Sequence, residues 1–155
     1  MTGDDLDDMA GMLGDPEIMA FYPRPKSVEE AQAWIEWNQS NYEEHGYGLW
    51  IIETTSGEFV GDCGLTWQAV NERLELELEV GYHVRSLMQG HGYATEAAAA
   101  CRDFARDVLM VPHLVAIIHP DNVASQRVAM KIGLQFEEAD RRPGREIRSV
   151  YGVAF

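Results

Sequence analysis

Cysteine is scarce: the 155 residues hold two, Cys63 in a strand-like run and Cys101 in a helix-like one. Two distant thiols build neither a disulfide framework nor a metal-ligand cluster, and both read as small buried hydrophobes. No apolar run approaches the roughly 18 residues that a membrane span needs. The opening Met1-Thr2-Gly3-Asp4-Asp5 also lacks the basic-then-apolar order of an export signal, so a soluble cytoplasmic protein with no membrane partner is expected. Repeats, low-complexity tracts and Pro/Ser-rich linkers are missing too, which predicts a single domain over 1–155. Positive charge is the last shortage. Through Glu72 there are 15 acidic residues against only Arg24 and Lys26, whereas the remainder carries 11 acidic and 10 basic residues, for a net charge of −14. A duplex nucleic-acid binder must neutralise phosphates, so this balance argues against one and suits a cationic substrate; a solvated face has the same composition.

What is present is a 46% apolar chain, enough for one sizeable core. Asp4 to about Leu13 reads as a short helix with its acids at the N-terminal end, where the macrodipole favours them. A second helix opens at Ser27, which forms a capping box with Glu30. It carries Val28, Ala31, Ile35, Asn38 and Tyr42 on one face and ends at Gly46. Leu49–Thr54 and Phe59–Trp67 flank the turn signal Ser56-Gly57 and predict an antiparallel hairpin. From Leu74 to Val84 the pattern alternates, Leu74, Leu76, Leu78 and Val80 against Glu75, Glu77 and Glu79, which predicts a strand with one core face and one acidic face. The period then turns helical over Ala94, Ala97, Ala98, Cys101, Phe104, Ala105 and Val108. Leu114–Ile118 has the length and composition of a strand buried on both sides. A helix starting at Pro120-Asp121 and stopping at Gly133 follows, and then two closing strands, Leu134–Glu137 and Ile147–Phe155. A strand–helix–strand crossover is right-handed and parallel, so the strand ending at Val84 should run parallel to Leu114–Ile118, in a mixed α/β fold.

Between the long strand and the alanine-rich helix lies Gln89-Gly90-His91-Gly92-Tyr93-Ala94-Thr95. Two glycines at a strand-to-helix turn permit close backbone approach, and the unpaired amides of the helix's first turn form an anion site suited to phosphate. A dinucleotide fingerprint would need a small residue where Thr95 stands and an acid near Met110, and has neither. A nucleoside-triphosphate loop would need Gly-Lys-Ser/Thr after the turn, which is absent.

The turn does satisfy the Gln/Arg-x-x-Gly-x-Gly/Ala pattern of the acyl-CoA loop of GCN5-related N-acetyltransferases (GNAT). With Glu79-Val80-Gly81-Tyr82, Asn122-Val123-Ala124-Ser125 and Lys131-Ile132-Gly133-Leu134 in the same order, the chain resembles the RimJ/RimL-like branch of that superfamily from Asp4 onward. The resemblance implies an α/β GNAT fold, a central mixed sheet whose two parallel strands splay to admit the pantetheine arm of acetyl-CoA, with no metal. It implies pyrophosphate held by backbone amides of His91, Gly92, Tyr93, Ala94 and Thr95, with Gln89 and Gly90 shaping the turn. Backbone groups of Tyr82, His83 and Val84 would pair with the pantetheine amides, and the Asn122 side chain would add a contact; the alternative for Asn122 is a helix cap shared with Asp121. Members of the family open with a strand ahead of the first helix, and the pattern here starts on the helix.

Acetyl transfer to an amine needs a base for the ammonium, a donor for the oxyanion and a proton for the leaving thiolate. The resemblance makes Glu79 the base, acting through water. For the thiolate much of the superfamily uses a tyrosine at the position of Ala129; the RimL-like branch uses a serine, which Ser125 matches. The expected activity is therefore transfer of acetyl from acetyl-CoA to a primary amine in a ternary complex, with a protein N-terminus or small cationic amine as acceptor, by a monomer or homodimer. The alternative is a non-catalytic acyl-CoA-binding or sensing module. Trp34, Trp37, Trp50 and Trp67 are open between core and pocket wall.

Overall fold

The computed structural model describes residues 1–155. Its elements are α1 (Leu6–Leu13), α2 (Val28–His45), β1 (Leu49–Glu53), β2 (Phe59–Gln68), β3 (Glu77–Val84), α3 (Tyr93–Asp107), β4 (His113–Ile118), α4 (Val123–Lys131), β5 (Gln135–Asp140) and β6 (Arg148–Ala154). The six strands form one sheet in the order β1-β2-β3-β4-β6-β5. Pairing is antiparallel for β1–β2, β4–β6 and β5–β6 and parallel for β3–β4, which is the mixed sheet that the crossover rule predicts. No helix is long and apolar enough to cross a membrane. The chain divides into two compact units, Met1–Gly64 with Tyr82–Ala94 and Leu65–Gly81 with Thr95–Phe155, so β2 and β3 each begin in one unit and end in the other.

In the first unit the local signals translate directly. A 3-10 turn over Gly3–Asp5 precedes α1, and the first strand in chain order is β1. Ser27 and Glu30 close the capping box reciprocally at the N-terminus of α2, at 3.2 and 2.8 Å, and Gly46 ends the helix in the left-handed region at φ 80°. The core here joins Met9, Met12 and Leu13 of α1 to Met19, to Ala31 and Ile35 of α2 and to Phe59 of β2. Each of its fully buried large side chains stabilises the fold by about 1.5–3 kcal/mol. Asn38 is polar yet fully buried: its Nδ2–H donates to the Trp34 carbonyl at 3.0 Å and its Oδ1 accepts the Leu49 amide at 2.8 Å, fastening α2 to β1. The Tyr42 hydroxyl donates to the Leu49 carbonyl. Val28, expected on the same face, is the first residue of the helix and is 57% exposed.

Gly61 lets β2 lie close on β3. A Cβ there would stand 2.0 Å from the His83 carbonyl oxygen and 3.0 Å from the Val84 Cα, and backbone cannot rotate aside as a side chain can. Gly61→Ala is therefore expected to destabilise by about 3 kcal/mol or more, the upper range of overpacking. A denaturant midpoint within experimental error of the parent would show that the two strands can separate freely there.

In the second unit the core gathers Val70, Val115 and Val150, with Ile117 packed against it. Helix α4 packs on β4 and β6, and α3 buries Ala98, Cys101 and Ala105. Both cysteines are buried and outside any disulfide. Three expectations from the sequence fail in this unit. Leu74 and Leu76 are not core: they are 102% and 53% exposed, and β3 begins only at Glu77. Ahead of it the chain turns through Asn71 at φ 53°, held to β5 because the Asn71 amide donates to Asp140 Oδ1 at 2.9 Å and its Nδ2 to Glu138 at 2.7 Å. Alternation supplies a face but no partner for it. Val108 is exposed, one residue beyond the end of α3. Helix α4 starts at Val123 rather than at Pro120-Asp121, with Asn122 as its cap.

Candidate active site

The first unit holds the glycine turn. Strand β3 ends at Val84, a 3-10 turn spans Ser86–Met88, and Gln89 folds back so that its Nε2–H donates to the Val84 carbonyl at 3.0 Å. Gly90 and Gly92 follow at φ 80° and 91°, a region that residues with a Cβ rarely enter. The His91 ring nitrogen lies 3.3 Å from the Met88 carbonyl, and α3 begins at Tyr93. Gln89, Gly90, His91 and Gly92 are exposed while Tyr93, Ala94 and Thr95 are half-buried. A Cβ on either glycine would meet nothing within 4 Å, so the glycines answer to backbone conformation and leave open space over the turn. From Gly81 to Thr95 there is no acidic residue and there is one arginine, Arg85, in a chain of net charge −14. Open space, no negative charge and the amides of a helix start fit a polyanionic cofactor.

The second unit holds Glu79, Asn122 and Ser125. The parallel ladder between β3 and β4 consists of the single pair Glu79↔Val115. The Glu79 carboxylate extends it by accepting the Ile117 amide at 3.2 Å, so this side chain stands where the ladder stops. Its neighbour Glu77 is consumed by ion pairs, with Arg73 and with the His113 ring, each at 3.0 Å, which leaves the acidic face of β3 less open than its sequence suggests. Asn122 is the N-cap of α4, its Oδ1 accepting the Ser125 amide at 3.1 Å. The cap uses the oxygen of that amide, and the nitrogen is its donor end. Ser125 thus sits in the first turn of α4, three residues after the cap.

A further group in the first unit escapes a reading along the chain. Asp62 of β2 is fully buried; its Oδ1 meets the His83 Nδ1 at 2.8 Å and its Oδ2 accepts the Trp34 indole N–H at 3.2 Å. The other ring nitrogen of His83, Nε2, lies 2.7 Å from the Tyr22 hydroxyl. Burial alone would lower the pKa of His83, but Tyr22 and the Asp62 carboxylate outweigh it and raise it to about 10. His83 was expected to contribute only its backbone. The available signal was Asp62 itself, an acid inside the apolar run Phe59–Leu65, which can be buried only beside a partner. Trp34 belongs to this cluster, 5.3 Å from Trp37 and 5.9 Å from His83 between ring centroids. None of the four tryptophans is fully buried.

A mixed six-stranded sheet with one parallel pair and a left-handed glycine turn opening a helix are the architecture of the GNAT fold. The chain belongs to the acetyltransferase (GNAT) domain family, which matches residues 1–135. It is 36% identical over 132 residues to the uncharacterized protein YkkB of Bacillus subtilis, covering 84% of this chain and 76% of that one. It superposes with a TM-score of 0.85 on the crystal structure of the acetyltransferase from Agrobacterium tumefaciens, at 26% identity, covering 100% of this chain and 88% of the other. The fold is shared as well with the spermidine N-acetyltransferase from Vibrio cholerae in complex with CoA and spermine, at a TM-score of 0.76 and 15% identity, with coverage of 99% and 92%.

Proposed function

We propose that this protein transfers acetyl from acetyl-CoA to a primary amine, directly within a ternary complex, the acceptor being a small cationic amine or a protein N-terminus. The observation that carries the reading is the Gln89–Thr95 turn, with Gly90 and Gly92 in the left-handed region and open space above them, in a chain of the acetyltransferase family. Amides of His91, Gly92, Tyr93, Ala94 and Thr95 hold the pyrophosphate, Gln89 and Gly90 keep the turn in shape, and Asn122 offers its amide nitrogen to the pantetheine arm. Backbone groups of Tyr82, His83 and Val84 pair with that arm as a neighbouring strand would. The cofactor supplies an activated acyl thioester. Glu79 receives the ammonium proton through water and Ser125 offers its hydroxyl to the sulfur. The balance of 15 acidic residues to two basic ones through Glu72 favours a cationic acceptor by raising its local concentration.

The test is release of free CoA thiol from acetyl-CoA across a panel of amines: spermidine, spermine, an aminoglycoside, and peptides with free N-termini. Amine-stimulated release, strongest for the cationic amines and weakened by added salt, is the expected outcome. Tight CoA binding without release for any amine would replace the enzyme reading by a CoA-sensing one.

A further inference from the structure

The parallel ladder that joins β3 to β4 is a single residue pair, so the placement of Glu79 depends on the side chains around it. One of these is His113, the first residue of β4. Its Nδ1 lies 3.0 Å from a Glu77 oxygen on β3, and its Nε2 lies 3.0 Å from a Glu137 oxygen on β5. A neutral imidazole has one N–H, so only the imidazolium donates to both carboxylates at once. The contact with Glu137 crosses a whole strand, because β6 lies between β4 and β5. Two features of the backbone permit the crossing. The β5–β6 register shifts between Phe136 and Glu138, which leaves Glu137 as the extra residue of a bulge. Its carboxyl group then lies against Gly152 of β6, where a Cβ would stand 2.4 Å from the carboxyl carbon. Gly152 is part of a regular strand, so its glycine serves by leaving that path open. We propose that charged His113 is a pH-sensitive clasp that fixes β3 on β4 and thereby positions Glu79, with Glu137 reaching across β6 to hold it closed. Its bearing on catalysis rests on the reading of Glu79 as the base.

The clasp and the base are close neighbours. Glu79 stands two residues beyond Glu77 and pairs with Val115, which stands two residues beyond His113, so the clasp is about 7 Å along the strands from that pair. The same Glu79 carboxylate accepts the Ile117 amide on β4. The charges around His113 come from several elements. Arg73, ahead of β3, shares Glu77 with it and also pairs with Glu138 of β5, but leaves Glu137 to the ring. On β6 the residues opposite His113 and Val115 are Ala154 and Gly152, both uncharged. Helix α4, packed on β4, carries Arg127 and Lys131, and neither is paired with His113, Glu77 or Glu137. Burial alone would lower the pKa of His113, but the bonds to Glu77 and Glu137 outweigh it and raise the pKa above its ordinary 6.5. The stabilisation is therefore complete below about 6.5 and is lost as the pH rises through the higher folded-state value. His83 also titrates on the alkaline side, at about 10, but belongs to the first unit, so the clasp is read by local reporters.

NMR of the protein without cofactor reads the clasp apart from turnover. The His113 ring signal, identified by its loss in His113→Gln, should titrate above 6.5. Over the same pH range the Ile117 amide should lose protection from hydrogen exchange, on the order of tenfold, the size of a hydrogen bond to a charged group. His113→Gln should show the lower protection at every pH. Glu137→Gln keeps an acceptor and removes the charge, and Gly152→Ala obstructs the path across β6; each should move the His113 titration and the Ile117 transition together to lower pH. Amides of the β4–β6 ladder should keep their protection throughout, which separates the clasp from general loss of stability. With the amine that releases thiol fastest, kcat should decline along the same alkaline limb, and Glu137→Gln should move that limb to lower pH with the KM for acetyl-CoA unchanged. A ring that titrates at or below 6.5, or an Ile117 amide whose protection ignores the titration, overturns the clasp. If the ring and the amide respond together in parent and Glu137→Gln while kcat does not follow, the clasp stands and the reading of Glu79 as the base fails instead.

Discussion

Gly92→Glu is expected to lower CoA affinity by 100-fold or more and to leave the fold standing. Gly92 sits at φ 91° with nothing within 4 Å of an added Cβ, so the new side chain meets no wall and its carboxylate projects into the open space over the turn. The cost to stability is confined to left-handed backbone strain, about 1 kcal/mol. The cost to binding is larger, because a negative charge then faces the pyrophosphate that the amides would hold, and like charges brought together cost several kcal/mol. A loss of 100-fold or more in CoA affinity is expected on that basis, against about tenfold for Gly92→Ala, which carries the strain without the charge. Circular dichroism and thermal unfolding establish that the fold persists, and calorimetry gives the affinity. Retention of parent-like affinity by the glutamate variant would remove the turn from the cofactor site.

Glu79→Gln is expected to lower turnover by about 100-fold or more while CoA affinity survives, the range lost with a general base. The isostere is informative because of what Glu79 also does. Its Oε1 accepts the Ile117 amide at 3.2 Å, and a glutamine oxygen accepts the same bond, so this join between β3 and β4 is preserved while the capacity to take a proton is removed. The deficit should be greatest at low pH, where nearly all of the amine is protonated and needs a base, and should shrink as the pH rises. A pH–rate profile of unchanged shape and height would confine Glu79 to its structural bond. Glu79→Ala is the contrasting variant: it should cost stability as well as rate, since the Ile117 amide loses its acceptor.

Most of the architecture can be read along the chain because its signals are local. The capping box at Ser27 and Glu30, the stop at Gly46, the turn at Ser56-Gly57 and the continuous apolar run of β4 each rest on contacts within a few residues or on a single period. The glycine turn is equally local, since Gly90, Gly92 and the start of α3 are contiguous. The exceptions mark where a period meets no partner. Leu74 and Leu76 continue the alternation of Leu78 and Val80, yet Asn71 ties that stretch to β5 and leaves both leucines in solvent. Asn122 satisfies both of its readings at the level of the sequence, and its cap to Ser125 is the one that the fold displays.

By itself, then, the sequence determined the succession of elements, the parallel crossover and the place of the glycine turn, because caps, turns and periodicity are properties of neighbouring residues. Only the tertiary structure decided the company of the charged groups. It set Glu77 against His113 and Arg73, and it assembled Tyr22, Asp62 and His83 from positions 40 and 21 residues apart. No period encodes such a meeting. Burial of an uncompensated carboxylate is costly, so Asp62 announces that a partner exists, but which side chain arrives depends on how β2, β3 and the α1–α2 connection are brought together.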